Sequence, residues 1–107
     1  MNWRITFFDG KVRNQTMGLP DGILANFLHI TSMIQEFGPA LGRPFVAPLG
    51  AGLFEIRSKG KEGVGRSLYC MGNERELVIL HSYIKKTRKT PLKELKLARQ
   101  RMKQVRK

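Results

Sequence analysis

Hydrophobic and polar residues alternate in the first segment of the chain, NWRITFF. Trp3, Ile5 and Phe7 occupy every second position, and the polar Arg4 and Thr6 separate them. A period of two residues is typical of a strand with one face on the core and one in solvent. We therefore predict an N-terminal strand, followed by a loop that is rich in turn residues.

The period becomes helical after Asp21, which is a predicted N-cap. Apolar residues then recur at intervals of three or four, which places them on one stripe of an amphipathic helix. Gly38 and Pro39 predict the end of this helix. The predicted core-facing stripe consists of Ile23, Phe27, Ile30, Ile34 and Phe37.

Three segments with strand character follow at residues 53–59, 65–71 and 76–83. The first segment alternates between apolar and polar residues. The third is apolar on both faces and is therefore predicted to be a central strand of the sheet. Because the connectors between the three segments are short and rich in turn residues, we expect an antiparallel meander.

A last helix is predicted to start at Thr90, with Pro91 in the first helical position. The predicted order is β-α-β-β-β-α, a small α+β domain with an antiparallel sheet and a basic C-terminal helix. A single domain of residues 1–107 is long enough to bury one core. The apolar stripe of the last helix is predicted to contain Leu92, Leu95, Ala98, Met102 and Val105.

Positive charge is concentrated at the C-terminus. The chain carries a formal net charge of +12, and residues 85–107 hold eleven basic residues against one acid, Glu94. Such an asymmetry predicts a polyanionic partner, either a nucleic acid or an acidic protein. A solvated basic helix that maintains solubility is the alternative.

The cysteine count and the hydropathy pattern narrow the class of protein. Cys70 is the only cysteine, so an intrachain disulfide and a multi-cysteine metal site are excluded. We expect a reducing compartment. No stretch has the length of a signal peptide or a membrane span, so the sequence predicts a cytoplasmic protein that does not associate with membranes.

Basic side chains are predicted to gather at one rim of the meander, where Arg66 can approach Arg57 across the strand pair and His81 ends the third strand. RNA carries its own nucleophile, the 2′-hydroxyl, so a protein need only stabilise the phosphate and move protons. His81 either moves these protons or is a structural histidine; Tyr69 and Tyr83 either stack on bases or lie in the core.

Three segments in order, LGAGLFEIR, GVGRSLYCM and VILHSYIKKTRKTPLKELKLARQRM, resemble the RelE/HigB toxin superfamily of type II toxin–antitoxin systems. The resemblance is to the phage-derived HigB-like branch and covers about residues 38 to 104. The matching motifs are Gly-Leu-aromatic-Glu-x-Arg, Arg-x-x-Tyr, and His-x-aromatic-x-Lys-Lys-Thr before a Thr-Pro helix start.

The resemblance implies a ribosome-associated mRNA endonuclease that needs no metal or other cofactor. It also implies a cognate antitoxin, expected to be a helix-turn-helix protein, with operator DNA bound only through that antitoxin. Relatives place a catalytic tyrosine near the C-terminus, but no tyrosine follows Tyr83 here, so His81 replaces it as a candidate. The candidate catalytic residues are Arg66, His81, Lys85 and Lys86, and the candidate RNA-binding residues are Arg57, Lys59, Lys61, Arg88, Lys89, Lys93 and Lys96.

Two other functions stay open on the sequence alone. A toxin of the ParE type would inhibit a topoisomerase by binding, without cutting anything. A plain basic module would bind nucleic acid without chemistry.

Overall fold

The computed structural model describes residues 2–106, so Met1 and Lys107 of the predicted 1–107 domain lie outside the described residues. One five-stranded sheet carries α1 and α2 on one face and α3 on the other. The elements are β1 (Arg4–Phe7), α1 (Gly10–Met17), α2 (Asp21–Phe37), β2 (Val46–Gly50), β3 (Leu53–Gly60), β4 (Gly63–Met71), β5 (Glu76–Ile84) and α3 (Leu92–Val105).

The strand order is β1-β5-β4-β3-β2, and β2 to β5 form an antiparallel meander. This confirms the α+β class and the interior position of the strand at residues 76–84. The sheet is nevertheless mixed, because β1 pairs with β5 in parallel, from Arg4 opposite Glu76 to Phe7 opposite Ile79. The long connection through α1, α2 and three strands makes this parallel pairing possible.

The sequence pattern missed α1 and β2. In α1 only Val12 and Thr16 are buried, so no apolar stripe marks it; its start is fixed by Asp9, whose carboxylate accepts a hydrogen bond of 2.9 Å from the Val12 amide. In β2, Pro48 weakens the strand pattern. A proline is tolerated there because β2 lies at the edge of the sheet.

The N-terminus of α2 is capped from a distance. Pro20 is the N-cap, so the predicted capping role of Asp21 is wrong. Instead, the Glu62 carboxylate in the β3–β4 turn accepts hydrogen bonds from the amides of Gly22 (2.9 Å) and Ile23 (3.2 Å). The bond from the Gly22 amide is the main reason that the pKa of Glu62 is lowered. The turn and α2 are in close contact, since a Cβ at Gly60 would lie 2.5 Å from the Ile23 nitrogen.

The predicted apolar stripes of α2 and α3 are buried along most of their length, but each has an exposed residue at one end. Ile23, Phe27, Ile30 and Ile34 are buried, but Phe37 is 71 % exposed because it is the last helical residue and the chain turns away at Gly38 (φ 90°). In the other stripe Ala98 and Met102 are buried, and Leu95 and Val105 pack against them. Leu92, by contrast, is 72 % exposed in the first turn of α3.

Across residues 2–106, no helix combines the length and the apolar character that a bilayer crossing requires.

Candidate functional site

Strand register places three polar side chains in a row across the sheet. Arg57 of β3 lies directly opposite Arg66 of β4, which lies opposite Tyr83 of β5. The predicted approach of Arg66 to Arg57 across the strand pair is therefore confirmed. Side chains in such a row point to the same face, which here is the face that carries α3.

The loop between β5 and α3 closes this row into a depression that we name the arginine basin. It is open to solvent and has a volume of about 410 Å³. Five cations and a single carboxylate line it, so its field is strongly positive. The lining residues are Arg43, Leu49, Glu55, Arg57, Arg66, Arg88, Lys89, Thr90 and Leu95.

Arg66 is the buried centre of the basin, with 3 % of its surface exposed. Its Nη1 donates a hydrogen bond of 3.1 Å to Thr90 Oγ1, and its Nη2 donates one of 2.6 Å to the Arg88 carbonyl. These bonds tie β4 to the loop before α3. They also explain a correction to the helix start: Thr90 is held by Arg66 and Pro91 is extended (ψ 145°), so α3 begins at Leu92.

Glu55 is the acid of the basin, and sequence reasoning missed it. Its Oε1 lies 3.3 Å from Arg66 Nε, and both side chains are almost fully buried. The contact lacks hydrogen-bond geometry, so Glu55 Oε1 and Arg66 Nε are buried atoms without a hydrogen-bond partner, and so is the Nε of Arg57. The basin therefore holds two N–H groups and one acceptor oxygen that are still available for hydrogen bonding.

Lys85 extends this cluster of cations. Its amide donates a hydrogen bond of 2.7 Å to the Val64 carbonyl, which continues the β4–β5 ladder by one residue. Burial lowers the pKa of Lys85, and repulsion from Arg66 and then Arg57 lowers it further, while Glu55 opposes the shift. The four charged groups therefore act on one another electrostatically.

His81 lies two residue pairs along the β4–β5 ladder from Tyr83 and is 6 % exposed. Its Nε2 is 2.9 Å from Glu94 Oε1, and its ring stacks on Tyr83 at a centroid distance of 5.5 Å. Because a carboxylate can only accept, Nε2 carries the proton in this pair. The Nδ1 atom is buried and has no hydrogen-bond partner.

A β-bulge sets the position of His81. The register shifts by one residue between the pairs Leu68–His81 and Tyr69–Ile79, so Leu80 is the extra residue on β5. His81 lines a depression other than the arginine basin, together with Lys11, Val12, Gln15, Leu97 and Arg101. The basic residues that were predicted to gather at one rim therefore lie in separate places.

The remaining candidates divide between the basin and other surfaces. Arg88 and Lys89 line the basin, whereas Lys86 lines a third depression with Tyr83 and Glu94.

The other candidate lysines lie outside these depressions. Lys59 and Lys61 are exposed at the β3–β4 hairpin, where the Lys59 amide donates a hydrogen bond of 2.7 Å to Asn26 Oδ1. Lys93 and Lys96 are exposed on α3.

Two residues with possible chemistry are part of the core. Tyr69 is fully buried and stacks on Phe54, and burial raises the pKa of its hydroxyl. Cys70 is also fully buried, and burial raises the pKa of its thiol. Among residues 2–106, no three side chains of the His, Cys, Asp or Glu type group in a way that could hold a metal ion.

The sequence did contain a signal for the missed acids. Glu55 precedes the two cations of its strand, Arg57 and Lys59, and Glu94 is the one acid in the basic C-terminal segment. A lone carboxylate among many cations favours a specific pairing, and the structure pairs these two with Arg66 and His81. Arg43, also missed, reaches the basin from the loop before β2, which no strand or helix pattern predicts.

Comparison with known proteins agrees with this architecture. Residues 15–103 match the family described as Phage derived protein Gp49-like (DUF891). No curated protein matches the chain. Among solved structures, the chain is similar to one in the crystal structure of the archaeal RelE–RelB complex from Pyrococcus horikoshii OT3, with 22 % sequence identity and a TM-score of 0.57, over 78 % of this chain and 96 % of that one. The chain therefore belongs to the phage-derived Gp49-like family and has the fold of the RelE/HigB toxin superfamily.

Proposed function

We propose that the protein is the toxin of a toxin–antitoxin pair and cleaves mRNA on the ribosome without a metal ion. The arginine basin carries this proposal. Its depression is the size of a small ligand site, and it is lined by five cations and one carboxylate. Arginine binds phosphate through several N–H groups at once, and each cation that contacts RNA releases a counterion.

The electrostatics of Lys85 support the basin as the phosphate site. Arg66 and Arg57 both lower the pKa of this lysine, which means that the cations repel one another. A phosphate in the basin would relieve that repulsion. The basin would attract the phosphate more strongly still in the transition state, where the phosphate gains negative charge. Stronger binding of the transition state than of the ground state is what accelerates cleavage.

The proposed reaction is an intramolecular transesterification. The 2′-hydroxyl gives up its proton and attacks the adjacent phosphorus, the bond from phosphorus to the 5′-oxygen breaks, and that oxygen takes up a proton. A 2′,3′-cyclic phosphate and a 5′-hydroxyl result. Lys85 is the proposed proton donor, because its lowered pKa makes proton loss easier.

His81 is the proposed proton acceptor. Glu94 holds the proton on Nε2, which leaves the lone pair of Nδ1 as the acceptor; because this atom is buried, RNA binding has to uncover it. RNA reaches both sites if its backbone runs from the basin over Tyr83, since Tyr83 lies opposite Arg66 and stacks on His81. Lys86, beside Tyr83 in the third depression, would contact the same stretch of RNA.

The exposed lysines outside the basin are proposed to hold more distant phosphates. Lys93 and Lys96 lie on α3, where they could contact ribosomal RNA; Lys59 and Lys61 lie at the β3–β4 hairpin. Such contacts contribute affinity without sequence preference and weaken as salt is added.

An antitoxin is the proposed protein partner. The archaeal structure with the similar fold is a complex of RelE with RelB. By analogy, an antitoxin with an acidic or amphipathic segment would cover part of the cationic surface here. We expect a small helix-turn-helix protein encoded by a neighbouring gene, and operator DNA contact only through it.

The test is cleavage of mRNA bound to purified ribosomes, mapped by primer extension. We expect cuts with the wild type and with Arg13→Ala, a control that removes a cation from an exposed position of α1, and about 100-fold slower cutting with Arg57→Ala. Inhibition of DNA supercoiling with intact mRNA would support a ParE-type toxin. Salt-sensitive RNA binding with neither activity would support a non-catalytic module.

A further inference from the structure

We propose that Glu55 is a resident counter-anion of the arginine basin, which balances the charge of Arg66 until a phosphate replaces it. The inference rests on the proposed phosphate-binding role of the basin but not on cleavage. Glu55 is the single acid among the nine residues that line the depression.

The geometry of the pair suits an exchangeable contact. Charge-assisted hydrogen bonds to a carboxylate are typically about 2.7–2.9 Å long. The Glu55 Oε1–Arg66 Nε distance is 3.3 Å, and neither atom has a hydrogen-bond partner. A phosphate oxygen could therefore gain a hydrogen bond from Arg66 Nε that Glu55 does not make.

The placement of Glu55 in the sheet explains why the contact is imperfect. Glu55 lies opposite Leu68, so Arg66 is its diagonal neighbour rather than its cross-strand partner. Diagonal neighbours are about 7–8 Å apart at the backbone and touch only through long side chains. Meanwhile Nη1 and Nη2 of Arg66 are held by Thr90 and the Arg88 carbonyl. The guanidinium is thus fixed, and Nε is its one nitrogen without a hydrogen-bond partner.

Charge balance gives Glu55 its role in the free protein. Arg66, Arg57 and Arg88 all lower the pKa of Lys85, and Glu55 is the group that raises it. Without Glu55 the cations would repel one another with no internal compensation. An external anion must therefore compete with Glu55 for the basin, which lowers the affinity for weak anions and favours the multiply charged RNA backbone.

The test compares Glu55→Gln with Glu36→Gln, which makes the same change in net charge at an exposed position of α2, on the other face of the sheet. Thermal unfolding is followed while inorganic phosphate replaces chloride at constant ionic strength. In chloride we expect Glu55→Gln to unfold roughly 5 °C below the wild type. Phosphate should restore that loss, with an apparent affinity about fivefold higher than for Glu36→Gln.

An equal response of the two variants to phosphate would overturn the proposal. If Glu55→Gln does not fold, the Nε–H resonance of Arg66 in the wild-type protein provides the second measurement, assigned by its loss in Arg66→Lys. It should shift when phosphate replaces chloride, and an unchanged resonance at saturating phosphate would again contradict the exchange.

An RNA measurement separates this inference from the proposed function. A single-stranded 2′-O-methyl RNA has no free 2′-hydroxyl and is not cut, so its binding reports affinity alone. We expect Glu55→Gln to bind it about fivefold more tightly than Glu36→Gln at low salt. A phosphate effect without any RNA binding would support the counter-anion and count against RNA as the substrate; equal RNA binding by both variants would count against the counter-anion.

Discussion

Arginines cluster near both ends of α3, but the two clusters make different contacts. Near its C-terminal end, Arg99 donates hydrogen bonds to the carbonyls of Leu49 and Gly50, and Arg106 to that of Gly52. Arg101 donates a hydrogen bond of 2.6 Å to the Leu80 carbonyl. We name these three arginines the arginine clamp, because they fasten α3 to the sheet.

The arginine basin, at the N-terminal end of α3, keeps hydrogen-bonding capacity in reserve. Arg57 and Arg66 each have a buried Nε without a hydrogen-bond partner. Net charge alone therefore does not distinguish the two groups of cations. The difference lies in which donors already have acceptors, since a satisfied donor stabilises the fold and an unsatisfied one can bind a ligand.

Arg66 combines both roles, because it belongs to the arginine basin and also holds the loop before α3. Arg66→Ala removes its bonds to Thr90 and the Arg88 carbonyl and leaves the Glu55 charge buried and unpaired. We expect a loss of about 3 kcal/mol in the free energy of unfolding, measured with urea. The double variant with Glu55→Gln should recover part of it, because no unpaired carboxylate remains. A loss below about 1 kcal/mol would show that Arg66 is not structural.

Arg57 isolates the ligand-binding role. It is half-buried, and no other side chain depends on it for a hydrogen bond that the structure shows among residues 2–106. We expect Arg57→Ala to slow mRNA cleavage about 100-fold while changing stability by less than about 1 kcal/mol. Arg13→Ala, an exposed residue of α1, makes the same change in net charge and should leave cleavage unaltered. Similar slowing in both variants would mean that overall charge, not the basin, matters.

Arg101 is the matching test of the arginine clamp. The Leu80 carbonyl at the β-bulge accepts its hydrogen bond, and the guanidinium lies 5.5 Å from the Phe8 ring. Arg101→Ala should lower the free energy of unfolding by about 1.5 kcal/mol, because a part-buried carbonyl loses its partner. Because Arg101 lines the depression of His81 and binds the carbonyl at the bulge that places His81, cleavage per folded molecule should also fall, but by less than the roughly 100-fold expected for Arg57→Ala. Lys103→Ala, exposed on the same helix, is the control that should change neither quantity.

The same contrast explains how much of the site the sequence predicted. Arg57 and Arg66 could be placed opposite each other because strand period and a short hairpin fix their register. The pairs Glu55–Arg66 and His81–Glu94 could not be predicted. The first is diagonal, and the second depends on where α3 lies over the sheet and on the bulge at Leu80. The periodicity of the sequence also does not distinguish the arginines of the clamp from solvent-exposed arginines. The carbonyls that accept hydrogen bonds from the clamp are distant in sequence.

The fold shows the same division between local and non-local information. The α2 stripe and the meander follow from periodicity, which is a local property. The α1 helix escaped notice because its eight residues bury only Val12 and Thr16, and β2 because Pro48 interrupts it. The parallel pairing of β1 with β5 joins segments about seventy residues apart, and only the packing of the whole chain decides it.

Two acids, Glu62 and Glu55, differ in the same way as the two groups of arginines. Glu62 resembles the clamp, because two amides satisfy its carboxylate, whereas Glu55 resembles the basin. The pKa of Glu62 is lowered from 4.5, chiefly by the bond from the Gly22 amide, so the ionised form stabilises the fold. That stabilisation is fully present above about pH 4.5 and is lost as the pH falls through the lower folded-state value. Glu62→Gln should therefore unfold at a lower temperature than the wild type at pH 6, and the gap should narrow toward pH 3. A gap that stays constant across this range would mean that the capping bonds, rather than the charge of Glu62, hold the β3–β4 turn against α2.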